Sequence, residues 1–140
     1  MRSAPWTELP ALTLHDILQL RAAVFVVEQR CAYLDPDGRD VEEGAVHWWI
    51  ERDGRVVACL RQLRDADGGT RLGRIATDPG HRGDGAAGRL ITAALAESPR
   101  PVHLGAQAHL ARWYRTFGFE IAGDLYVEDG IDHLPMRLDR

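Results

Sequence analysis

Leu14, Ile17, Leu18, Val24 and Phe25 fall on one face of a 3.6-residue repeat and predict a helix, with Thr13 as its cap and Asp16 in its first turn. Within it, Val24-Phe25-Val26-Val27 is β-branched and aromatic, a composition that also suits a strand. The pattern then breaks. Asp35-Pro-Asp-Gly-Arg-Asp-Val-Glu-Glu43 carries turn chemistry and reads as a charged, solvated loop. Strands follow over His47–Arg52 and Arg55–Leu63, joined by Asp53-Gly54, the pair favoured in a two-residue hairpin turn. Alternation puts Val57, Cys59 and Arg61 on one face of the second strand. The adjacent Trp48 and Trp49 should point to opposite faces of the first, one into a core and the other toward a cleft or an interface.

Asp67-Gly68-Gly69 turns the chain into a strand over Arg71–Thr77, which Asp78-Pro79-Gly80 stops. Leu90, Ile91, Ala94 and Leu95 line a helix over Gly85–Glu97 that ends at Ser98-Pro99. A short apolar strand, Val102–Gly105, precedes a second stripe, Leu110, Trp113, Tyr114 and Phe117, with Gly118 as its stop. Strands over about Phe119–Val127 and His133–Leu138 close the chain around an Asp129-Gly130 turn. This order predicts a mixed α/β domain, helices packed on a mainly antiparallel sheet.

The chain has 140 residues, within the size of one domain, and no repeat or linker divides it, so residues 1–140 read as a single unit. Net charge is −4, which argues against a nucleic-acid binder, since phosphate neutralisation needs clustered positive charge. Apolar runs are a few residues long, far from the ~20 needed to span a membrane. With no secretory pattern, the expected location is the cytoplasm. Cys31 and Cys59 lack the spacing of a zinc site, and no metal is expected. All 17 basic residues are arginine. The absence of lysine excludes a Walker A loop, a Schiff base and a lysine base, and leaves the N-terminal amine as the one primary amine for self-acylation.

His81-Arg-Gly-Asp-Gly-Ala-Ala-Gly-Arg89 is the most specific local feature. Gly83, Gly85 and Gly88 match the dinucleotide spacing, but five residues separate them from the strand ending at Thr77 and no acidic residue lies at positions 100–110. The turn has other uses. Glycines let backbone N–H groups converge, a helix N-terminus follows, and Arg82 adds a forked cation. Together these suit a pyrophosphate; a glycine-rich loop with a solvated arginine is the competing reading.

Arg82-x-x-Gly85-x-Ala87, preceded by Ile75-Ala76-Thr77-Asp78-Pro79 and followed by Tyr114 in Trp113-Tyr114-Arg-Thr-Phe-Gly118-Phe119, resembles the GNAT superfamily of acetyl-CoA-dependent N-acetyltransferases. Leu20–Gln29, His103–Leu110 and Glu128–His133 are similar to its ElaA-like branch, so the resemblance runs from about Leu14 to Leu138. It implies a GNAT-like fold, a central twisted sheet of about six to seven strands with about four helices packed on its faces. It implies acetyl-CoA as co-substrate, a primary amine of a small molecule or peptide as acceptor, and a homodimer as one assembly the family allows. The implied cofactor-binding set is Ile75, Ala76 and Thr77 beside the pantetheine, Arg82, Gly83, Asp84, Gly85, Ala86, Ala87 and Gly88 around the pyrophosphate, and Gln107, which stands where many members have asparagine.

In that resemblance Tyr114 protonates the departing thiolate; read from its stripe alone it is equally a core tyrosine. Glu28 is the candidate general base, with a surface or capping carboxylate as the alternative. His47, His109 and His133 read as hydrogen-bonded structural histidines, and Asp35, Asp37 and Asp40 as solvated residues that can also steer a cation. Two other functions stay open: a non-catalytic acyl-CoA-binding module, which has no use for Tyr114, and an acyl-homoserine-lactone-synthase-like acyltransferase, suggested by Arg21, Val24, Phe25 and Glu28.

Overall fold

The computed structural model describes residues 1–140. Eight strands form one sheet: β1 (Arg2–Pro5), β2 (Val46–Arg52), β3 (Arg55–Arg64), β4 (Thr70–Thr77), β5 (Val102–Gln107), β6 (Glu120–Ile121), β7 (Tyr126–Glu128) and β8 (Ile131–Leu138). Their order is β1-β2-β3-β4-β5-β8-β6, with β7 also on β8. All neighbours are antiparallel except β4 and β5. The helices are α1 (Ala11–Arg21), α2 (Ala86–Glu97) and α3 (Ala111–Arg115). The mixed α/β architecture is the expected one, with one strand more and one helix fewer.

Two cores sit on opposite faces of the sheet. Leu90, Ile91 and Ala94 of α2 and Tyr114 of α3 pack with Trp48, Ile50, Leu60, Leu104 and Phe119. Ile17 and Leu20 of α1, with Val24, pack on Trp49, Val56, Cys59 and Ala76. The pleat therefore sends Trp48 and Trp49 to opposite faces, but both are core residues, which corrects the cleft or interface expected for one of them. A register shift beside Ile50 leaves Val57 with the α2 core, while Cys59 stays on the α1 side. The expected shared face for Val57 and Cys59 is lost to that bulge.

Several boundaries move for local reasons. α1 begins two residues before Thr13, because the Pro10 carbonyl already accepts from Leu14 N–H at 3.0 Å and no side-chain cap is used. The Val24–Val27 stretch is neither a strand nor α-helix. Ala22–Glu28 continues α1 as a π-helical segment, closed by Gln29 N–H on the Val24 carbonyl at 3.0 Å. The expected strand over Phe119–Val127 splits into β6 and β7. Opposite the gap stands Pro135, which has no N–H to offer, and Gly123 lies close against its ring.

The loop read as solvated is partly interior. Arg21 is 1% exposed and Asp35 3%, and Asp40 is also buried. Arg21 donates Nε to Asp35 at 2.8 Å and Nη1 to Asp40 at 2.7 Å. Arg61 bridges Asp37 at 2.7 Å and Asp40 at 3.1 Å. Arg74 lies 3.0 Å from carboxylate oxygens of both Asp35 and Asp37. His47 Nε2–H donates to the Asp40 carbonyl at 2.9 Å, a structural role as expected. Three arginines and three aspartates thus pin the 31–43 strap across β3 and β4. Burial alone would raise the Asp40 carboxyl; the hydrogen bonds and charges of Arg21 and Arg61 hold it below the usual range instead, and Arg61 and Arg74 do the same for Asp37.

Asp40→Ala leaves Arg21 and Arg61 under-paired in the interior and should cost about 3–5 kcal/mol in urea unfolding. A carboxyl depressed in the folded state stabilises fully above its unfolded pKa, about 3.9, and that contribution drains as pH falls through the folded value. Wild-type stability against unfolding should therefore fall steeply below about pH 4, and a double Asp37→Asn, Asp40→Asn variant should lose part of that dependence.

Candidate functional site

β4 and β5 pair only at Thr70↔Val102 and Arg71↔His103. Beyond that they part. Cys59 pairs with Ala76 and Arg61 with Gly73, so Leu60 faces two β4 residues, Arg74 and Ile75. This bulge is reached through Arg74 at φ +50°, a left-handed conformation rare for a side-chain-bearing residue. Its guanidinium, tied to Asp35 and Asp37 and lying 5.2 Å over the Tyr33 ring, holds it there.

The parting opens a cavity of about 570 Å³. Gly73, Arg74 and Ile75 of β4 form one wall and Leu104, Gly105 and Gln107 of β5 the other. Phe25 of the π-helical segment, Gln29 at its end, and Cys31 and Tyr33 of the strap cover it on one side, and Tyr126, Glu128 and His133 of the closing hairpin on another. Tyr114 reaches it from α3. The Tyr114 ring is buried edge-on against Trp113 and Phe119, and burial alone pushes its hydroxyl up to about 12.

The glycine turn lies at the far end of β4. Gly83 and Gly85 take φ of +89° and +83°, and Gly85 caps α2. Asp84 accepts from Ala86 N–H at 3.0 Å, while Ala86 itself is core. The next N–H groups, on Ala87 and Gly88, precede the first intrahelical bond, Arg89 N–H to the Gly85 carbonyl, and have no helical partner. A cradle of free donors at a helix N-terminus is therefore present, and it suits an anion.

The chain's match to a sequence profile described as an acetyltransferase (GNAT) domain covers residues 21–140. The chain belongs to the GNAT acetyltransferase family. It is 43% identical over 134 residues to a UPF0039 protein of Mycobacterium tuberculosis, covering 92% of this chain and 86% of that one. Protein ElaA of Escherichia coli is 38% identical over 137 residues, covering 93% and 90%. The crystal structure of that ElaA superposes with a TM-score of 0.92 over 99% of this chain and 97% of its own. An acyl-CoA N-acyltransferase from Pseudomonas aeruginosa does so with a TM-score of 0.91, at 36% identity, over 98% and 97%. The GNAT membership and these neighbours make the protein an acyltransferase of the ElaA-like branch.

Within this GNAT fold two sets of the expected residues come together. Ile75, Gln107 and Tyr114 line the cavity. Gly83, Gly85, Ala87 and Gly88 form the cradle. Ala76 is buried in the α1 core beside Cys59, so its side chain faces away from the cavity; Thr77 ends β4, half-buried. Arg82 is not a free cation: Nη1 and Nη2 both reach Glu28 at 2.6 Å, and Nε donates to the Thr77 carbonyl at 3.1 Å. Its hydrogen bond is the main cause that holds the Glu28 carboxyl low. A carboxylate so held is a poor proton acceptor, and the structure brings Glu28 to the cradle arginine.

Arg89, Gln29 and Tyr126 were missed in the sequence. Arg89 carries a guanidinium beside the turn, donating to the Asp84 carbonyl at 3.0 Å and free of any carboxylate. Gln29 accepts from Gln107 at 3.1 Å and joins the end of the π-helical segment to β5. Tyr126 folds over Gly105, where a Cβ would overlap its hydroxyl. Of these, Arg89 alone had a usable sequence signal, as the residue that follows the glycine turn. Cys31 and Cys59 are both free and buried, and burial pushes Cys59 up to about 12. No helix is long and apolar enough to cross a membrane.

Gly105→Ala should push the Tyr126 ring off β5. Amide hydrogen exchange at residues 126–128 should accelerate at least several-fold, with protection in α2 unchanged.

Proposed function

We propose that the protein transfers an acetyl group from acetyl-CoA to a primary amine by direct attack on the thioester. The observation that carries this reading is a cavity between the parted β4 and β5 that Tyr114 helps to line, with free backbone donors at the end of β4. The residues fit the co-substrate. The N–H groups of Ala87 and Gly88 and the backbone of Gly83 and Gly85 would hold the pyrophosphate, with Arg89 as the uncommitted cation. β4 from Leu72 to Thr77 has no strand on its β5 side, so Ile75–Thr77 can add the pantetheine amides as a pseudo-strand. The thioester supplies the activated acetyl group. A backbone N–H of this β4 edge polarises its carbonyl, an effect worth about 10²–10³ in rate where one such donor has been removed. Tyr114, kept protonated by burial, gives its proton to the departing thiolate.

Glu28 enters this scheme as the partner of Arg82. The pair ties the π-helical segment to the end of β4 and so links the strap to the cradle. It is about two-fifths exposed on both sides, and its direct worth is at most about 1 kcal/mol.

Ala87→Glu places a negative charge where a helix N-terminus tolerates it but a phosphate does not. It should fold normally and bind acetyl-CoA at least ~10-fold more weakly by calorimetry. Tyr114→Phe should keep that affinity and lower kcat on a responsive amine by roughly 10²-fold or more, followed by thiol release. A wild type that fails to bind CoA at millimolar concentration would end this reading; binding without thiol release across a broad amine panel would favour the non-catalytic module.

A further inference from the structure

His133 is a polar group in the cavity that the scheme above leaves idle. It lies on β8, opposite Gln107 of β5 and Tyr126 of β7 in the strand ladders. Its Nδ1 is 2.7 Å from the Ile131 carbonyl oxygen. A carbonyl oxygen only accepts, so Nδ1 carries the hydrogen, and in the neutral ring the lone pair resides on Nε2. Nε2 makes no hydrogen bond to the protein and is not sealed from solvent. One ring face stacks on Tyr126, centroids 5.4 Å apart at 22°. The ring is thus fixed through one edge and one face, with its basic nitrogen unoccupied. A base held in one tautomer by a third group is the arrangement that activates nucleophiles elsewhere.

The hairpin carrying His133 also holds carboxylates without cationic partners. Asp35, Asp37 and Asp40 are committed to arginines, whereas Glu128 and Asp129 make no ion pair. Both residues line the cavity. A primary amine arrives at neutral pH as an ammonium ion, which these carboxylates attract and which must lose a proton before it can attack.

We propose that His133 is the general base of the transfer, and that Glu128 and Asp129 draw a cationic amine to it. This rests on the transferase reading. An ammonium N–H gives its proton to His133 Nε2, directly or through one water. The freed nitrogen forms the C–N bond at the thioester carbonyl as the C–S bond breaks, and the thiolate takes the Tyr114 proton. A second N–H proton restores Tyr114 through solvent, and His133 releases its proton to water, so one proton leaves per turnover. The other ionisable groups facing this space are Tyr126 and Glu128 of β7, Asp129 of the turn, Arg71 and Arg74 of β4, Arg61 of β3, Cys31, Tyr33, Asp37 and Arg39 of the strap, and Tyr114 of α3; Arg61 and Arg74 are paired with Asp37. Burial pushes Tyr126, Cys31 and Tyr114 upward, away from neutrality.

Two measurements test this. Long-range 1H–15N correlation on the histidine-labelled protein should show neutral His133 as the Nδ1–H tautomer; an Nε2–H tautomer would overturn the assignment without any activity assay. On an amine the wild type acetylates, His133→Gln should lower kcat/KM about 10²-fold below about pH 7. The deficit should shrink toward unity as pH nears the amine's own pKa, where free amine needs no base, with CoA affinity unchanged throughout. A deficit independent of pH would mean a structural role and sink the proposal alone. A wild type that acetylates no amine in a broad panel would sink the transferase reading and this assignment together. Glu128→Gln with Asp129→Asn should raise KM for the amine several-fold while kcat holds; an unchanged KM would remove the steering role.

Discussion

The parting of β4 from β5 after two register pairs is the constraint on which the rest depends. A sheet that stayed paired along both strands would have no cavity, no free β4 edge and no route for the Tyr114 hydroxyl out of the α2 core. The parting coincides with a bulge in β4 at Arg74, a residue held at positive φ. Such a conformation costs of order 1–3 kcal/mol and persists where its surroundings over-determine it. Here the surroundings are Asp35, Asp37 and the Tyr33 ring, all on the strap. One side chain therefore joins the backbone geometry of β4 to the strap that covers the cavity.

The same strap gives the lysine-free composition a structural sense. Arg21 spends Nε, Nη1 and Nη2 on two aspartates and a carbonyl while almost wholly buried. A planar fork with five donors can meet that set; an ammonium, a point charge with three rotatable donors, cannot meet it in the same geometry. Buried ion pairs of this kind break even at best against apolar packing, and their clearest effect is to fix one arrangement among several. In this molecule that arrangement is the path of residues 31–43 over the cavity. The arginines that occupy the loop carboxylates also leave the hairpin's Glu128 and Asp129 as the uncommitted negative charge near the site.

Local signals in the sequence marked the glycine turn before α2 and the helical stripe that carries Tyr114. Asp53-Gly54 is a hairpin turn with both residues at positive φ. Gly85 starts α2 and Gly118 ends the Tyr114 stripe at φ +100°. These features depend on a few adjacent residues, so composition and spacing reveal them. What stayed hidden depends on distant partners. Nothing near Glu28 announces Arg82, 54 positions on. Asp35 and Asp40 look solvated until Arg21, Arg61 and Arg74 close around them. His133 looks structural because the Ile131 carbonyl and the Tyr126 ring that orient it become meaningful only once β7 and β8 pair beside the cavity. The π-helical run at Ala22–Glu28 hides for another reason: its β-branched sequence favours no π geometry, and its Val24 and Phe25 pack on the α1 core.

Amide chemical-shift mapping of the 15N-labelled protein on adding acetyl-CoA tests the central claim, that the parted strands and the cradle hold one ligand. The account predicts saturable shifts confined to Gly83–Gly88, the β4 edge at Ile75–Thr77 and the neighbourhood of Gln107 and Tyr114. Saturable shifts that spare both the cradle and the β4 edge, or no shifts at millimolar ligand, would contradict it.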